Sequence, residues 1–534
     1  MLTCAFGLWL VTTFDYGRDQ GIYAVVARSM LDGGMPYRDA WDFKPPGIFV
    51  IYALARALMG EGQVAIRMLE ALGLAAMALG MTELARRWWG EARVGLLAAA
   101  LAILVHAQLD FWHTAQPESF GGMLTIAALL CAGRDEPVLG GRGTSRRPWA
   151  WWILCGALFG AAGLLKPPLA GGGVVVAGAL SVWRLRRTTA LAARQRRLDA
   201  AAPLLGVFLG GCLPVLACAA WFGARGALGH LHDVLFVFTP YYTAIGWQNQ
   251  GFTGMAWWGL TEWLVTYSAV FAGGLALLLG FHPRDTERPA VWLLAALIGV
   301  HVLGVVLQGK FFPYHYGATW PLTALLASLG LWRLWERLER FGVTGALAFA
   351  GLLGVLAVAK TATKDVPGTF WTRTATRMAL NGREDVAARD ALASVADVHA
   401  PANRAVAETL AAAVSPDRSV FVWGFEPVIY DMSGRRAATR FIYDVPQRVA
   451  WASESMRGQL MADLAADPPA AIVVEHRDVF PMVTGDLLDS ADSLLEFPAL
   501  RALVADRYQL ASSIEDFDIY LNRDPALAGD VTRP

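Results

Sequence analysis

The first polar loop of this chain begins with Gly17-Arg18-Asp19-Gln20-Gly21-Ile22-Tyr23-Ala24 and closes with Asp39-Ala40-Trp41-Asp42-Phe43-Lys44-Pro45-Pro46-Gly47. The loop follows an apolar run, so it places carboxylates and a lysine at the edge of a hydrophobic segment. Charged groups beside hydrocarbon cost free energy and are usually retained because they serve a function. We therefore take this loop as the first candidate site.

The composition is that of an integral membrane protein. The mean hydropathy is +0.41. Of the 534 residues, 55% are apolar and 17% are charged, whereas charged residues make up about 25% of a soluble domain. The formal net charge is zero, and the basic residues show no pattern typical of nucleic-acid binding. All five cysteines lie in apolar segments, so the sequence indicates neither a disulfide framework nor a cysteine-based zinc site.

Eleven apolar segments are candidates for membrane spans. They are 1–14, 64–85, 94–108, 119–133, 150–165, 169–183, 200–222, 256–281, 290–307, 317–332 and 343–360. Between the second span and the last, the loops on one side hold 18 Lys and Arg residues, and those on the other side hold only Lys166, Arg225 and Lys310. Because basic loops stay in the cytoplasm, the second set and the Asp19 loop are predicted to face outward. The apolar run 46–60 is then a juxtamembrane or re-entrant helix inside the first outer loop.

The chain becomes polar after residue 360. Segments 418–423, 437–443, 470–475 and 517–521 have the composition of strands, and segments 384–413 and 447–466 have apolar residues at helical spacing. We therefore predict a transmembrane domain over 1–360 and a soluble α/β domain over 361–534, which the number of spans places outside. The predicted fold class is a polytopic α-helical membrane protein with about eleven transmembrane helices and a C-terminal α/β domain.

Two carboxylates are candidates for catalysis. Asp19 precedes the run from Gln20 to Leu31, which fits an amphipathic helix lying on the membrane; the plainer alternative is that Asp19 caps this helix. Glu118 lies at the start of a span on the predicted outer side. Its alternative role is to stabilise the N-terminus of that helix through its negative charge. The sequence alone leaves these alternatives open.

Three lysines converge on the predicted outer face. Lys44 and Lys166 each precede Pro-Pro, and Lys310 follows Gly309. Lysines at the ends of spans are commonly anchors, but anchors favour the cytoplasmic side, whereas these three lie in Pro- or Gly-bearing turns on the opposite side. A compact ammonium binds phosphate well, so a lipid phosphate headgroup is the favoured ligand. The neighbouring Tyr314-His315 is either part of that site or an aromatic belt.

This ordered series of residues resembles the C-type (GT-C) superfamily of membrane glycosyltransferases. The series is Asp19 with Tyr23, Lys44-Pro45-Pro46, Glu118, Lys166, and Lys310 with Tyr314. Within the superfamily, residues 10–330 resemble family 39 and its relatives, which include protein mannosyltransferases and lipid A aminoarabinose transferase.

The resemblance implies roles for these residues. The donor in the family is a sugar on a lipid phosphate, and an aspartate of the first outer loop, matched by Asp19, lies at the reaction centre. A lysine before proline, matched by Lys44, contacts the donor phosphate, and Lys166 and Lys310 match later lysines on the phosphate side. The other residues expected to bind substrate are Tyr23, Asp42, Tyr314 and His315.

The chain departs from the family at three points. The first loop reads Asp19-Gln20 where the family often has Asp-Glu, and the acidic position of the second loop is offset to Glu118, with Gln116 before the proline. The histidine that binds metal in the aminoarabinose transferase has no counterpart in Phe238-Thr239-Pro240-Tyr241. The sequence therefore assigns no metal ligand and leaves a divalent metal cofactor open.

Residues and resemblance together predict an enzyme of the membrane that moves a sugar, with inversion, from polyprenyl phosphate to an envelope glycolipid, polysaccharide or protein. Asp19 is the predicted base, and Glu118 orients the acceptor or shares that role. The tail segment 423–430 resembles the outer domain of bacterial members, so we expect a bacterial inner-membrane protein, surrounded by lipid, with its C-terminal domain in the periplasm. Two alternatives stay open: a transporter or flippase of a lipid-linked sugar, and a non-catalytic envelope scaffold.

Overall fold

The structure of this protein is a computed structural model. It describes residues 1–134, 136–141, 148–187, 192–247, 250–265, 269–359, 366–380, 383, 385–394, 398–524 and 527. The chain forms two compact units: the first comprises Met1–Phe14, Arg67–Trp221 and Asn249–Ala375, and the second comprises Asp15–Ile66, Phe222–Gln248 and Thr376–Pro534. The predicted boundary between residues 360 and 361 lies outside the described residues, so a division of the chain at that point stays a prediction.

The described residues are mostly helical. The α-helices are, in chain order, α1 (Leu2–Thr12), α2 (Arg18–Leu31), α3 (Gly47–Met59), α4 (Gln63–Trp89), α5 (Ala92–Gln108), α6 (Pro117–Ala132), α7 (Pro148–Leu165), α8 (Gly171–Arg187), α9 (Ala193–Ala224), α10 (Leu228–His232), α11 (Thr239–Gly246), α12 (Phe252–Val265), α13 (Ala269–Phe281), α14 (Arg288–Gln308), α15 (Trp320–Leu338), α16 (Gly342–Val358), α17 (Val366–Leu380), α18 (Val386–Ala393), α19 (Ala400–Ala413), α20 (Val428–Ser433), α21 (Val445–Arg448), α22 (Ser453–Ala466), α23 (Pro481–Thr484), α24 (Ser490–Leu495) and α25 (Pro498–Arg507). A π-helical segment, Asp233–Phe238, joins α10 to α11.

Six helical segments within the described ranges are long and apolar enough to cross a membrane. They are Gln63–Trp89, Pro148–Leu165, Pro167–Arg187, Ala193–Ala224, Arg288–Gln308 and Trp320–Val358. A seventh results if α12 and α13, which are bent by 99° to each other, form one span. The chain is therefore a multi-pass membrane protein.

The predicted count of eleven spans is not confirmed, and helix length is the reason. The predicted spans 1–14, 94–108 and 119–133 form helices of 11, 17 and 16 residues, whereas a span needs about 20. The predicted spans 317–332 and 343–360 overlap a single candidate span, Trp320–Val358, which contains α15 and α16.

Small residues allow close contact between helices in the first unit. A Cβ atom on Gly330 of α15 would lie 2.0 Å from the carbonyl oxygen of Gly274 on α13. Membrane helices gain van der Waals contact through such close backbone approach, because lipid offers no hydrophobic driving force for their association. A larger side chain at either position would push the two helices apart.

The segment 46–60, predicted to be a juxtamembrane or re-entrant helix, forms the 13-residue helix α3. One face buries Phe49 and Tyr52, and the other exposes the apolar side chains of Val50, Leu54 and Leu58. A helix too short to span, with an exposed apolar face, is suited to lie at a membrane interface.

A five-stranded sheet forms the centre of the tail in the second unit. Its strands are β1 (Ser419–Trp423), β2 (Arg436–Ala437), β3 (Ala471–Glu475), β4 (Tyr508–Ile514) and β5 (Phe517–Asn522), in the spatial order β2-β1-β3-β5-β4. The β1–β2 and β1–β3 pairs are parallel, and the β3–β5 and β4–β5 pairs are antiparallel. Both β1 and β3 are buried along their whole length, which explains their continuous apolar sequences.

The predicted strands 418–423, 470–475 and 517–521 form β1, β3 and β5. Of the predicted strand 437–443, only Ala437 belongs to β2, and the N–H of Ala438 donates to Val420 of β1. Further along, Thr439 donates to Asp463 and Tyr443 donates to Asp42 through their side chains. The sequence did not predict β4, which is exposed or half-buried after Tyr508 and whose pairing depends on the turn at Glu515, where φ is +51°.

A buried polar network lies beside β3. The Ser490 hydroxyl is 2.6 Å from Asp444 and 2.5 Å from Asp478, and one guanidinium nitrogen of Arg448 is 3.0 Å from the same hydroxyl. A single hydroxyl proton cannot serve two carboxylates, so a proton on one carboxyl completes the network. Burial, together with the negative charge of Asp444, raises the pKa of Asp478 to about 7.

This network makes stability depend on pH. Because the pKa of Asp478 in the folded protein is about 7 and that of an unfolded aspartate is about 3.9, the folded state keeps a proton that the unfolded state loses. We expect the free energy of unfolding to fall as the pH rises from about 4 to about 7, and Asp478→Asn to lower this slope by up to about 1.4 kcal/mol per pH unit. Unfolding of the full-length protein in nanodiscs, followed by tryptophan fluorescence at several pH values, measures the slope. The surface variant Glu496→Gln is the control, and an unchanged slope in Asp478→Asn would contradict the assignment.

Candidate active site

Asp19 lies in the first turn of α2, close to the start of the first loop. The N-cap of this helix is Gly17, whose N–H donates to the side chain of Gln20 over 2.9 Å. Asp19 is therefore not the N-cap. Its carboxylate lies 3.6 Å from the Lys44 ammonium, and both side chains are partly exposed, 21% and 14%.

Lys44 is held by aromatic groups and by a tight turn. The Tyr37 hydroxyl donates to the Lys44 carbonyl oxygen over 2.8 Å, and the Tyr37 N–H donates to Ala40 over 2.7 Å. Tyr37 itself adopts a left-handed φ of +70°, which a non-glycine residue rarely takes. The Lys44 ammonium lies 4.8 Å from the Phe43 ring and 5.8 Å from the Tyr23 ring. These contacts fix the lysine beside Asp19.

Asp42, predicted to bind substrate, is fully buried and accepts a hydrogen bond of 2.7 Å from the Tyr443 hydroxyl. Burial raises the pKa of the Asp42 carboxyl, although the Lys44 ammonium and the Tyr443 hydroxyl oppose this shift. Burial also raises the pKa of Tyr443, so that its hydroxyl keeps its proton and remains a donor. The contacts of Asp42 therefore join the first loop to the tail.

Two further ion pairs connect the loop to the tail. The Arg18 guanidinium lies 2.8 Å from Glu426, where both side chains are almost completely buried, and it stacks 4.2 Å from the Phe480 ring. On the neighbouring helix α3, Arg56 lies 2.8 Å from Asp431. The sequence analysis singled out the segment 423–430 but found no partner for it. Because these partners are far apart in the chain, no local sequence pattern indicates that they pair.

The first unit brings together Glu118, Lys166 and Tyr314, three of the predicted site residues. Glu118 lies in the first turn of α6, after Pro117, and forms an ion pair with the Lys166 ammonium. The same ammonium lies 5.9 Å from the centre of the Tyr314 ring. The Oε2 atom of Glu118 has no hydrogen-bond partner among the described residues, which leaves it able to accept a proton or a hydrogen bond.

Lys310 and His315 form the other part of this group. Gly309, with a φ of +65°, ends α14 and turns the chain so that Lys310 is only 3% exposed. The His315 Nδ1 atom lies 2.7 Å from the Lys310 carbonyl oxygen and serves as the donor. A snorkelling anchor would place its ammonium at the lipid surface, so the burial of Lys310 argues against that alternative.

A buried charge cluster that the sequence analysis missed bonds to the turn that precedes α6, the helix that carries Glu118. Glu70 on α4 is fully buried and lies 3.0 Å from Arg67 and 2.9 Å from the His106 Nε2 atom. It also accepts a hydrogen bond from the N–H of Ala115, a residue with a left-handed φ of +53°. The sequence did contain a signal for this cluster. Arg67 and Glu70 lie inside an apolar span, where charged side chains cost free energy and usually mark a functional site.

No metal centre can be assigned to the described part of the chain. Within it, no group of three or more His, Cys, Asp or Glu side chains is arranged to hold an ion. The question of a divalent cofactor, left open by the sequence, therefore has no candidate ligands among these residues.

Known proteins share this arrangement of helices and sheet. Residues 43–221 match the family model described as dolichyl-phosphate-mannose-protein mannosyltransferase. The structure is similar to ArnT from Cupriavidus metallidurans in a crystal structure with bound undecaprenyl phosphate, with a TM-score of 0.56, 16% identity, and coverage of 99% of this chain and 98% of that chain. The apo crystal structure of the same protein gives a TM-score of 0.55, 16% identity, and coverage of 98% and 97%. The archaeal oligosaccharyltransferase AglB from Archaeoglobus fulgidus, in complex with an inhibitory peptide and a dolichol-phosphate, gives a TM-score of 0.48, 12% identity, and coverage of 98% of this chain and 74% of that chain.

The chain therefore has the fold of ArnT over nearly the whole of both proteins. The resemblance to family 39 relatives, predicted from the order of short motifs, is confirmed over residues 43–221 by the family match. No curated protein matches the chain in sequence.

The Glu70 cluster generates a prediction about stability. Glu70→Gln leaves the Arg67 guanidinium buried without its carboxylate, so we expect a loss of about 3–5 kcal/mol in the free energy of unfolding. Unfolding of the purified protein in nanodiscs, followed by tryptophan fluorescence, measures the loss. Asp285→Asn is the matched control, because Asp285 pairs with Arg288 at the surface and exposed pairs contribute little. Equal stability of the two variants would show that the buried charge of Glu70 is not needed.

Proposed function

We propose that this protein is a membrane glycosyltransferase that moves a sugar from a polyprenyl-phosphate-linked donor to an acceptor hydroxyl or amine, with inversion at the sugar carbon. The observation that carries the proposal is the Asp19–Lys44 pair, a carboxylate and an ammonium 3.6 Å apart and both partly exposed. The undecaprenyl phosphate in the ArnT crystal structure supports a lipid-phosphate donor, as does the family match, whose description names a dolichyl-phosphate sugar.

In the proposed reaction the acceptor atom attacks the sugar carbon from the face opposite the phosphate. The new bond to the acceptor forms as the bond to the phosphate oxygen breaks, and polyprenyl phosphate leaves with the bonding electron pair. Asp19 takes the proton that the acceptor loses, a role that requires hydrogen-bond reach to the acceptor atom. Its partial exposure of 21% is what such access needs.

Lys44 stabilises the negative charge that grows on the departing phosphate. A cation held in place before the reaction lowers the barrier without a reorganisation cost, and the contacts of Lys44 with Tyr23 and Phe43 provide that fixed position. Lys166 and Lys310 in the first unit are proposed to act on the phosphate side in the same way, with Tyr314 and His315 supporting them. Glu118 is proposed to orient the acceptor through its Oε2 atom.

We further propose that the enzyme is bacterial, lies in the inner membrane and works on its periplasmic face. The excess of Lys and Arg in one set of loops supports this orientation. The acceptor is then an envelope glycolipid, polysaccharide or protein, and the tail of the second unit lies in the periplasm.

A transporter of a lipid-linked sugar is the second candidate function. The observation in its favour is the bend of 99° between α12 and α13, since transporters bind their substrates at interrupted helices. Transporter folds carry such interruptions in two related halves, whereas the described residues contain a single sharply bent pair of apolar helices long enough together to cross a membrane. The transferase is therefore the better supported function.

Asp19→Asn tests the base. We expect donor consumption to fall by about 10²–10⁴-fold, the usual contribution of a general base, while the variant folds and binds donor. The assay uses protein in nanodiscs, a panel of radiolabelled undecaprenyl-phosphate sugars and an envelope extract as the acceptor source. Asp32→Asn is the matched control, because Asp32 lies exposed at the other end of α2. Equal donor consumption by wild type and Asp19→Asn would remove the base from the mechanism.

Lys44→Gln tests the phosphate contact. The loss of one fixed donor to a developing negative charge typically costs about 10²–10³-fold in rate, and we expect a loss of that size with weaker binding of undecaprenyl phosphate. Lys44→Arg, which keeps the charge, should retain more activity. Arg38→Gln is the control, since Arg38 is an exposed base of the same loop, paired with Asp39. If Lys44→Gln behaved like this control, the lysine would have no part in phosphate binding.

A further inference from the structure

The second unit contains a cavity of about 480 Å³ that the proposed mechanism does not use. Its walls are formed by residues 15–17 and 61–63 of the first loop, by Arg56 of α3, and by described residues of the tail between Ala393 and Met432. The volume lies within the range of about 300–1,000 Å³ typical of small-molecule sites. The cavity is partly open to solvent, so a ligand can enter it.

The lining of this cavity is rich in negative charge. Four carboxyl side chains face two guanidinium groups, and the six residues are Asp15, Glu61, Glu426, Asp431, Arg56 and Arg404. Both guanidinium groups are already paired with aspartates, Arg56 with Asp431 and Arg404 with Asp390, and the lining carboxylate of Glu426 is paired with Arg18 behind the wall. The lining therefore offers more hydrogen-bond acceptors than donors.

The wall next to Asp19 is held in place by side-chain bonds. The Gln63 amide donates to Asp15 over 2.6 Å and accepts from the N–H of Tyr16 over 3.0 Å. Gly17, which follows these residues and also lines the cavity, is the N-cap of the helix that carries Asp19. The cavity thus borders the backbone that positions the proposed base.

Asn403 supplies an independent sign of a ligand. Its side chain is only 3% exposed, lines the cavity and donates from Nδ2 to Glu426 over 2.9 Å. The amide oxygen, Oδ1, has no hydrogen-bond donor among the described residues. A buried acceptor without a donor costs about 1–3 kcal/mol, so a group that donates a hydrogen bond is expected at this position.

We propose that this cavity binds a sugar unit of the acceptor, one that is neutral or basic and carries no acidic group. A sugar hydroxyl supplies the O–H donor that the Asn403 Oδ1 atom lacks. The carboxylate oxygens can accept hydrogen bonds from further hydroxyls beside their present partners, and an ammonium on the sugar would bind them more strongly. A phosphate or a uronic acid brings further acceptors and a like charge, which the lining opposes. The inference rests on the proposed function, which requires an acceptor near Asp19.

The first experiment measures equilibrium binding to the full-length protein in nanodiscs by saturation-transfer NMR. The probes are the methyl glycosides of glucose, glucosamine and glucuronic acid, with putrescine as a cation without hydroxyls. We expect the glucoside and the glucosaminide to bind and the glucuronide to bind at least roughly tenfold more weakly, a difference of about 1.4 kcal/mol. Equal binding of the glucuronide, putrescine binding as tight as that of the glucosaminide, or no saturable glycoside binding would overturn the proposal.

Two variants locate the binding in this cavity. Asn403→Leu removes the unpaired acceptor and should weaken glucoside binding about fivefold, the effect of one neutral hydrogen bond. Asn403 also bonds to Glu426, so its replacement could disturb the fold, and a second variant is needed. Glu61 lies exposed at the rim, and Glu61→Lys should weaken binding of the glucosaminide and strengthen binding of the glucuronide. The same charge change at a distant exposed site, Glu496→Lys, is the control. Wild-type affinities for all three glycosides in both cavity variants would overturn the assignment.

Comparison with the donor assay separates this inference from the proposed function. Asp19→Asn should bind the glycosides like wild type, because Asp19 is not among the residues that line the cavity. If wild type consumes donor but binds no glycoside, the cavity assignment fails and the transferase stands. If the glycosides bind but no donor is ever consumed, the transferase fails, and the acceptor role of the cavity fails with it.

Discussion

A guanidinium that leaves water must find a carboxylate, and the arrangement of the second unit depends on how Arg18 meets this requirement. Its partner Glu426 lies 2.8 Å away, with both side chains at most 4% exposed. Removal of one member of such a pair costs about 3–5 kcal/mol, because the other stays buried and uncompensated. Asp19 follows Arg18 directly in α2, so the pair that satisfies Arg18 also sets where the proposed base lies. The Asp42–Tyr443 hydrogen bond acts at the far end of the same loop and fixes Lys44 in a similar way.

Features with a local cause could be predicted from the sequence. The apolar segments, the short helix α3 and the buried strands β1 and β3 all follow from runs of apolar residues whose length or spacing is visible in the chain. The order of Asp19, Lys44, Glu118 and Lys166 predicted the class of protein, and Lys166 does contact Glu118. The number of spans was not confirmed, because hydropathy locates an apolar run but does not fix the length of the helix it forms. Strand β4 was missed because its pairing with β5 depends on a turn and not on its own composition.

Features with a distant cause could not be predicted. Nothing near Arg18 indicates Glu426, and nothing near Asp42 indicates Tyr443, since these partners are more than 400 residues apart. The Glu70 cluster is an intermediate case: its Arg67-x-x-Glu70 spacing is local, but its role becomes visible only when Ala115 and His106 are seen to bond to it. At 16% identity the fold of ArnT is kept, so packing tolerates wide substitution. Substitution of one member of a buried ion pair is costly, because the other member stays buried and uncompensated.

The separation of Arg18 from Glu426 along the chain has a consequence for biogenesis. The two residues are 408 positions apart, and a ribosome adds about 5–20 residues per second, so the loop that carries Asp19 is made tens of seconds before its partner exists. During that time Arg18 and Asp42 have no buried counterpart, and the loop has no reason to adopt its final conformation. A chain that stops before the tail is complete therefore lacks an ordered Asp19–Lys44 pair. The proposed catalytic pair is therefore among the last features of this chain to become ordered, although its residues are among the first to be made.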